Sequence, residues 1–453
     1  MNCFERIGEM TASEIHYVPV DAGNPSIEKN RDLCSDCDHC LAVCAEEIGP
    51  ADRWLKGEPF CCINCGQCIS VCPEKALTVK SQIDQVREAI RDPDKVVVIS
   101  TAPSVRVGLG DAFGFAPGAF VEGEMVAALR KLGADYVYDV TFSADLTIME
   151  EGTEFLGRLL SGKGVLPQFT SCCPAWVKYA ETFHPELLPH ISTAKSPISM
   201  QGATVKTYLA LKRGIDPEKI VSVAIAPCTA KKFEITRPEF ESAAKELQKS
   251  GFRDNDYVLT TKELAQWMRE EKLDLKSLKP SVFDTWMGRG SGAGLIFGNT
   301  GGVMEAALRM AYTVLTGEEP SGLLLSYEPV RGLKDFKIAE VEIGGKTIRA
   351  AVIYGTKAAE NYLPEVLSTC HFAEVMTCPG GCISGAGQPE RGVVPPEDEL
   401  RRARMSSLYQ ADQESTVKCA LDNPDIQTVY REFYGEPMGE KSERLLHTSY
   451  YRR

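Results

Sequence analysis

The chain has 453 residues, 43% hydrophobic and 25% charged, which allows two to four domains with substantial cores. A formal net charge of −13 argues against nucleic acid as a partner. No apolar run approaches the roughly 20 residues that span a bilayer, and residues 1–10 hold neither a basic nor an apolar leader segment, so a cytoplasmic protein without membrane insertion is expected.

Residues 1–30 are polar and mixed and are expected to form a loosely ordered lead-in, with Cys3 an isolated thiol. Seventeen cysteines are many for this length, and ten of them precede residue 73. Such clustering points to metal binding before disulfides, in a reducing compartment low in oxygen. Two runs share one spacing: Cys34-x2-Cys37-x2-Cys40-x3-Cys44 and Cys62-x2-Cys65-x2-Cys68-x3-Cys72-Pro73. This is the bacterial ferredoxin pattern, in which the fourth cysteine of each run ligates the other 4Fe–4S cluster. It assigns Cys34, Cys37, Cys40 and Cys72 to one cluster, and Cys62, Cys65, Cys68 and Cys44 to a second. Cys61 competes with Cys62, although the spacing to Cys65 favours Cys62. A zinc site is the alternative, and two matched four-cysteine runs speak against it.

From about Ser81 the composition changes. A helix around Ile83–Arg91 leads into a buried β-branched strand, Val96–Ile99, which ends in Thr101-Ala102-Pro103-Ser104. A helix at Gly123–Leu132 and a strand at Tyr136–Val140 complete an α/β unit with a parallel sheet. Loops at the carboxyl ends of such strands commonly carry sites, so Ala102, Pro103 and Ser104 are candidates, with a plain turn and cap the alternative. Glu151, Glu154 and Arg158 share one helix face, which by itself reads as solvated. That helix precedes Thr170-Ser171-Cys172-Cys173-Pro174, where one cysteine is expected to ligate and its neighbour to stay a free thiol. A third buried strand, Val221–Ile225, ends at Pro227-Cys228-Thr229-Ala230-Lys231-Lys232; Cys228 is a ligand or a buried structural thiol, and Lys231 a fixed cation beside it. Residues 291–311 form a glycine-rich turn feeding an apolar helix; they match no phosphate-loop or dinucleotide motif. Residues 335–355 read as a hairpin turning at Gly344-Gly345, and Ala351–Tyr354 leads through a helix to the loop Met376–Pro389, M-T-C-P-G-G-C-I-S-G-A-G-Q-P. Its Pro-Gly-Gly core suits neither helix nor strand, so Cys378 and Cys382 are presented from a tight loop. Cys370 and Cys419 fit no cluster spacing and are expected to be structural. The tail from Arg391 is helical and charged.

Cys172 or Cys173, with Cys228, Cys378 and Cys382, supplies the four thiolates of a third cube. At this point the chain resembles the FeFe hydrogenases, through T-S-C-C-P-A-W (170–176), P-C-T-A-K-K (227–232) and T-C-P-G-G-C-I-S-G-A-G-Q-P (377–389). The resemblance extends to the two-cluster module and to a closing L-L-H-T-S-Y element similar to the family's small subunit. It implies an α+β / α/β architecture: lead-in 1–30, a ferredoxin-like domain 31–80, an H-cluster catalytic domain 81–390 of two α/β lobes, and a small-subunit-like helical tail 391–453. It also implies an H-cluster, a 4Fe–4S cube joined to a diiron centre with CO, cyanide and azadithiolate. By motif position Cys173, Cys228, Cys378 and Cys382 hold the cube, and Cys382 bridges to the diiron centre. Cys172 is the proton-exchanging thiol, Lys231 holds one cyanide, Pro103 and Ser104 contact the other, and Met376 lies against the diiron centre. Protons pass from Cys172 through Glu151, Ser192 and Glu154, with Arg158 near the exit.

The implied activity is reversible cleavage and formation of dihydrogen, with ferredoxin or a similar electron carrier and the hydrogenase maturation factors as partners. A carboxylate, thiol and hydroxyl chain can both give and take protons, as such a relay requires. The chain departs from the family pattern at Ala175, Ala226 and Ala386, which resembles the group B subgroup. Two other readings are a hydrogenase-like iron–sulfur scaffold without the diiron centre, against which Cys172, Lys231 and the Glu151/Glu154 pair count, and the hydrogenase subunit of an electron-bifurcating complex.

Overall fold

The structure, a computed structural model, describes residues 16–453 apart from residues 163, 321 and 391–396. Cys3 and the first residues of the expected tail lie outside the described residues. Residues 16–30 differ from the expected loose lead-in. Strand β1, Ile27–Lys29, pairs antiparallel with β2, Leu77–Val79, in register Ile27↔Val79. Val18 and Ile27 pack in one core with Cys40, Cys68, Ile69 and Leu77. Apolar side chains at 18, 20 and 27 give this stretch a buried face, so it is part of the cysteine-rich unit.

Two sheets follow. The first is all parallel, in the order β4-β3-β6-β7: β3 Val96–Thr101, β4 Tyr136–Asp139, β6 Ile220–Ala226 and β7 Tyr257–Thr260. Its β-branched strands are buried along nearly their whole length, as a sheet covered on both faces requires. The second, in the order β5-β10-β9-β8, combines β5 Gln168–Phe169, β8 Phe336–Ile343, β9 Lys346–Tyr354 and β10 Phe372–Met376. β8 and β9 form the hairpin expected at Gly344-Gly345, both at positive φ, while β9, β10 and β5 run parallel.

Between the sheets lies the 22-residue helix Val140–Ser161. Asp139 caps it, its side chain accepting from Thr141 N, and Gly162 ends it at φ 64°. Helix Pro174–Phe183 starts with a proline at its first turn, directly after Cys173. The tail forms helices Asp398–Glu414, Pro424–Val429 and Glu440–Leu446 and then returns as an extended strap. The strap is fixed where Lys195 N donates to Leu446 O and Thr448 N to Thr193 O, both at 2.8 Å. No helix among the described residues is long and apolar enough to cross a membrane.

Candidate functional site

Ligand segments leave both sheets at carboxyl ends. β3 runs into Ala102–Ser104, β6 into Pro227-Cys228, β5 into Thr170–Cys173, and β10 into Thr377–Cys382. Parallel strands put these ends on one side, and short contacts then draw the loops together. Gly387 N donates to Pro227 O at 2.8 Å, and a Cβ on Gly385 would collide with Pro227 O. Cys173 Sγ donates to Thr377 Oγ1 at 3.5 Å. The glycine-rich turn enters too: Thr300 N donates to Gly380 O and Ile383 N to Gly298 O, both at 3.0 Å. Gly381, at φ 95°, leaves room for that approach, since a Cβ there would meet Thr300 N at 2.6 Å.

Cys173, Cys228, Cys378 and Cys382 thus gather at one place. Burial pushes the Cys378 thiol far up, and neighbouring Cys228 and Cys173 add to it. Cys382 is raised by burial, then by Cys228 and Cys173, with Lys231 acting the other way. Thiols so disfavoured as free thiolates ionise only against a cation, which is what a metal cluster supplies. Ser104 Oγ and Glu151 Oε2 are buried without a protein partner, so the surroundings offer polar atoms that a bound group would satisfy. A Cβ on Gly298 would meet Ser104 Oγ at 2.5 Å, so that turn backs the Ser104 hydroxyl closely. Met376 is buried at the end of β10. Ala102 and Pro103 are buried, and Ala102 N donates to Ile225 O at 2.9 Å.

Lys231 Nζ donates to Cys172 O and to Glu234 Oε2, both at 3.0 Å, and Ser196 Oγ donates to the same Glu234 oxygen at 2.9 Å. Burial opposes its charge, but Glu234 and then Cys228 outweigh burial and hold the ammonium above its ordinary value. The sequence reading missed Glu234, although a Lys-x-x-Glu spacing on a helix is the signal that finds it.

The helix face of Glu151, Glu154 and Arg158 is buried. Glu151 Oε1 accepts from Ser171 N at 3.2 Å, which places it beside Cys172. Burial first, and then the neighbouring Glu154, push the Glu151 carboxyl up to about 8. Ser192 Oγ donates to Glu154 Oε2 at 2.7 Å. Arg158 Nη2 donates to Glu154 Oε1 at 2.6 Å, and its other donors reach the carbonyls of Val165, Pro189 and Ile191. Burial raises the Cys172 thiol well above its ordinary value, with Glu151 the next cause. Ser192, Glu154 and Arg158 are thus joined by hydrogen bonds, and Glu151 lies one helical turn from Glu154 on the side of the Cys172 segment. The adjacent Glu150, not singled out in the sequence, accepts from Tyr430 OH at 2.5 Å and lies 3.0 Å from His447 Nε2, which ties the strap to this helix.

The N-terminal cysteines line two cavities. Cys34, Cys37, Cys40 and Cys72 surround one, beside Tyr17 and Lys29. Cys44, Cys62, Cys65 and Cys68 surround the other, beside Ile27, Ile48 and Phe60. Each run therefore lends its last cysteine to the other cage. Burial raises the Cys44 thiol to about 12 and Cys65 and Cys68 well above their ordinary value. Among the described residues no three such side chains converge as closely as a single metal ion needs, whereas thiols around a cavity suit a cube. Cys61 is held in a disulfide and does not line either cage. The second cage touches the first-described one. Thr229 Oγ1 donates to Asn64 O at 2.8 Å, Gln67 Nε2 to Ser384 O at 3.3 Å, and a Cβ on Gly66 would lie 2.9 Å from the Ala386 Cβ. Ala386, one of the three departures, therefore forms part of this contact. Ala175 is buried in the same core as Cys65, and Ala226 is buried at the end of β6.

Two family models match the chain: iron only hydrogenase large subunit, C-terminal domain, over residues 95–386, and iron hydrogenase small subunit over residues 398–453. The chain is 43% identical to an NADP-reducing hydrogenase subunit HndD of Solidesulfovibrio fructosivorans, covering 95% of this chain and 68% of that protein. It is 39% identical to iron hydrogenase 1 of Clostridium pasteurianum, over 95% and 77% of the two chains. A solved structure of the FeFe-hydrogenase HydA1 from Chlamydomonas reinhardtii superposes with a TM-score of 0.71 at 37% identity, over 82% of this chain and 99% of that one. A cytosolic Fe–S cluster assembly factor of Danio rerio matches at 31% identity over 79% and 86%.

Proposed function

From the premise that this chain belongs to the iron-only hydrogenase family, and is an oxidoreductase acting on dihydrogen, we propose how its own residues carry the protons and electrons of that reaction. The family implies an H-cluster together with further iron–sulfur clusters. We assign its cube to Cys173, Cys228, Cys378 and Cys382, with Cys382 as the bridge, and its small ligands to contacts from Lys231, Pro103, Ser104 and Met376. When bound, the H-cluster supplies the metal site at which dihydrogen is split heterolytically.

The observation that carries the proton route is the burial on one helix face of Glu151, whose Oε1 accepts from Ser171 N beside Cys172, and of Glu154, with its 2.7 Å hydrogen bond from Ser192 and its contact to Arg158. Cys172, held as a thiol by burial, takes or gives a proton at Sγ. Glu151, with a carboxyl near 8, accepts and releases protons at neutral pH. Ser192 Oγ passes a proton by donating to Glu154. Arg158 orients Glu154 through the 2.6 Å contact and is the outermost member of the path. Lys231 holds the Cys172 carbonyl and sets the thiol against the relay.

Electrons leave through the Cys44/Cys62/Cys65/Cys68 cage, whose loop rests on Thr229 and Ser384, and then through the Cys34/Cys37/Cys40/Cys72 cage, where Cys37 is exposed. A ferredoxin-type carrier there, and the hydrogenase maturation factors, are the partners we assign. The likeness to an NADP-reducing hydrogenase subunit favours a second reading of the partner: a complex in which other subunits bind the nucleotide.

Ser192→Ala tests the relay. The variant keeps the Glu154 contacts to Arg158 and to Thr193 N. It is expected to load all clusters normally and to lose about 10²–10⁴ in hydrogen evolution driven by reduced methyl viologen. A rate within about threefold of the parent, by the same reasoning, excludes Ser192 from the path.

A further inference from the structure

Lys178 stands in helix Pro174–Phe183, five residues after Cys173, and it is buried. Of the other buried lysines, Lys195, Lys206, Lys231 and Lys232 each face a carboxylate, Asp254, Asp256, Glu234 and Glu263 respectively, within 3.2 Å, whereas Lys337 donates to the Gly332 carbonyl at 3.0 Å. Lys178 has no carboxylate at ion-pair distance among the described residues. Its Nζ donates instead to Asn64 Oδ1 at 2.7 Å and lies 4.1 Å from the centroid of the Phe233 ring. Burying an unpaired ammonium is expensive, and a neutral amide and one ring face do not offset it. Asn64 points to where the missing anion belongs. It sits between Cys62 and Cys65, and its own N–H donates to Cys62 Sγ at 3.4 Å. Its carbonyl accepts from Thr229, the neighbour of Cys228.

We propose that Lys178 is the counter-cation of the cluster in the Cys44/Cys62/Cys65/Cys68 cage, holding that cluster easier to reduce than its partner and so making it the first acceptor for electrons from the third cage. This rests on the cage assignment above. Four thiolates around an iron–sulfur cube leave a net negative charge that grows by one when an electron arrives. A fixed positive charge two hydrogen bonds away from Cys62 Sγ favours that reduced state. No bond is made or broken: one electron enters this cluster from the third cage and one leaves it for the Cys34/Cys37/Cys40/Cys72 cluster. The first cage has Lys29 in its wall, but that side chain is only half-buried and its charge is open to solvent screening.

The test is an EPR-monitored redox titration of the full chain, loaded with iron and sulfide and lacking the diiron centre, at one fixed pH. The two accessory signals are distinguished by which of them Cys62→Ser removes. Lys178→Gln keeps a donor to Asn64 Oδ1 and drops the charge; Lys178→Arg keeps the charge. In Lys178→Gln the Cys44/Cys62/Cys65/Cys68 cluster is expected to become about tenfold harder to reduce, which for a one-electron couple is about 59 mV. The other accessory cluster is expected to stay unchanged, and Lys178→Arg to keep the parent potential. An unshifted potential in Lys178→Gln, an equal shift of both accessory clusters, or an equal shift in Lys178→Arg overturns the assignment. If the parent protein shows no pair of accessory-cluster signals, the cage reading itself fails and takes this proposal with it, an outcome visible before any variant is made.

Discussion

Glu151→Gln separates the chemistry of the relay from its structural cost. The parent carboxyl is fully buried, accepts one hydrogen bond from Ser171 N, and has its pKa raised from 4.5 to about 8 by burial and then by Glu154. A carboxyl whose folded pKa is raised stabilises the fold fully below its unfolded value and loses that contribution as pH rises through the folded one. At about 1.4 kcal/mol per unit, the loss between pH 4.5 and pH 8 amounts to about 5 kcal/mol. The substituted amide matches the neutral carboxyl in shape and keeps an oxygen for Ser171 N, but it does not titrate. Glu151→Gln is therefore expected to match the parent in stability near pH 5 and to exceed it near pH 8, by up to about 5 kcal/mol. It cannot pass a proton, so hydrogen evolution driven by reduced methyl viologen is expected to fall about 10²–10⁴-fold. Anaerobic urea unfolding at the two pH values and the viologen assay read the two effects apart. A variant with parental activity, or one whose stability difference is the same at both pH values, refutes the reasoning.

Two further outcomes follow from the cages. Gly66→Ala would place a Cβ 2.5 Å from Thr229 Oγ1 on a backbone at φ 72°. Strain and overpacking together are expected to cost about 1–3 kcal/mol and to slow electron exchange between carrier and active site, while an unchanged unfolding midpoint would remove Gly66 from the contact. Cys62→Ser is expected to lose the iron of one accessory cluster and Cys61→Ser to lose none. Equal iron loss from the two would reverse that assignment.

The strands were legible because β-branched runs such as Val96–Ile99 and Val221–Ile225 are short, apolar and bounded by turn residues. The cysteine runs were legible because a cube fixes the spacing of its ligands locally. What escaped depended on contacts across the chain. Residues 16–30 looked polar on average, yet Val18 and Ile27 alone suffice to seat the stretch on the cysteine-rich core. Glu151, Glu154 and Arg158 carry the pattern of a solvated face, and local pattern cannot reveal that residues 189–194 and the returning strap cover it. Lys178 and Asn64 carry no motif at all. Their meaning comes from a hydrogen bond spanning 114 residues.

The central claim, that Cys173, Cys228, Cys378 and Cys382 form the cage and that Cys382 joins cube to diiron centre, is tested most directly by infrared spectroscopy of the matured protein and its variants. The account expects CO and cyanide bands in the parent, their loss in Cys382→Ser, and their retention in Cys34→Ser, which disturbs only an accessory cluster. Absence of those bands in the parent, or equal loss from Cys34→Ser, would contradict it.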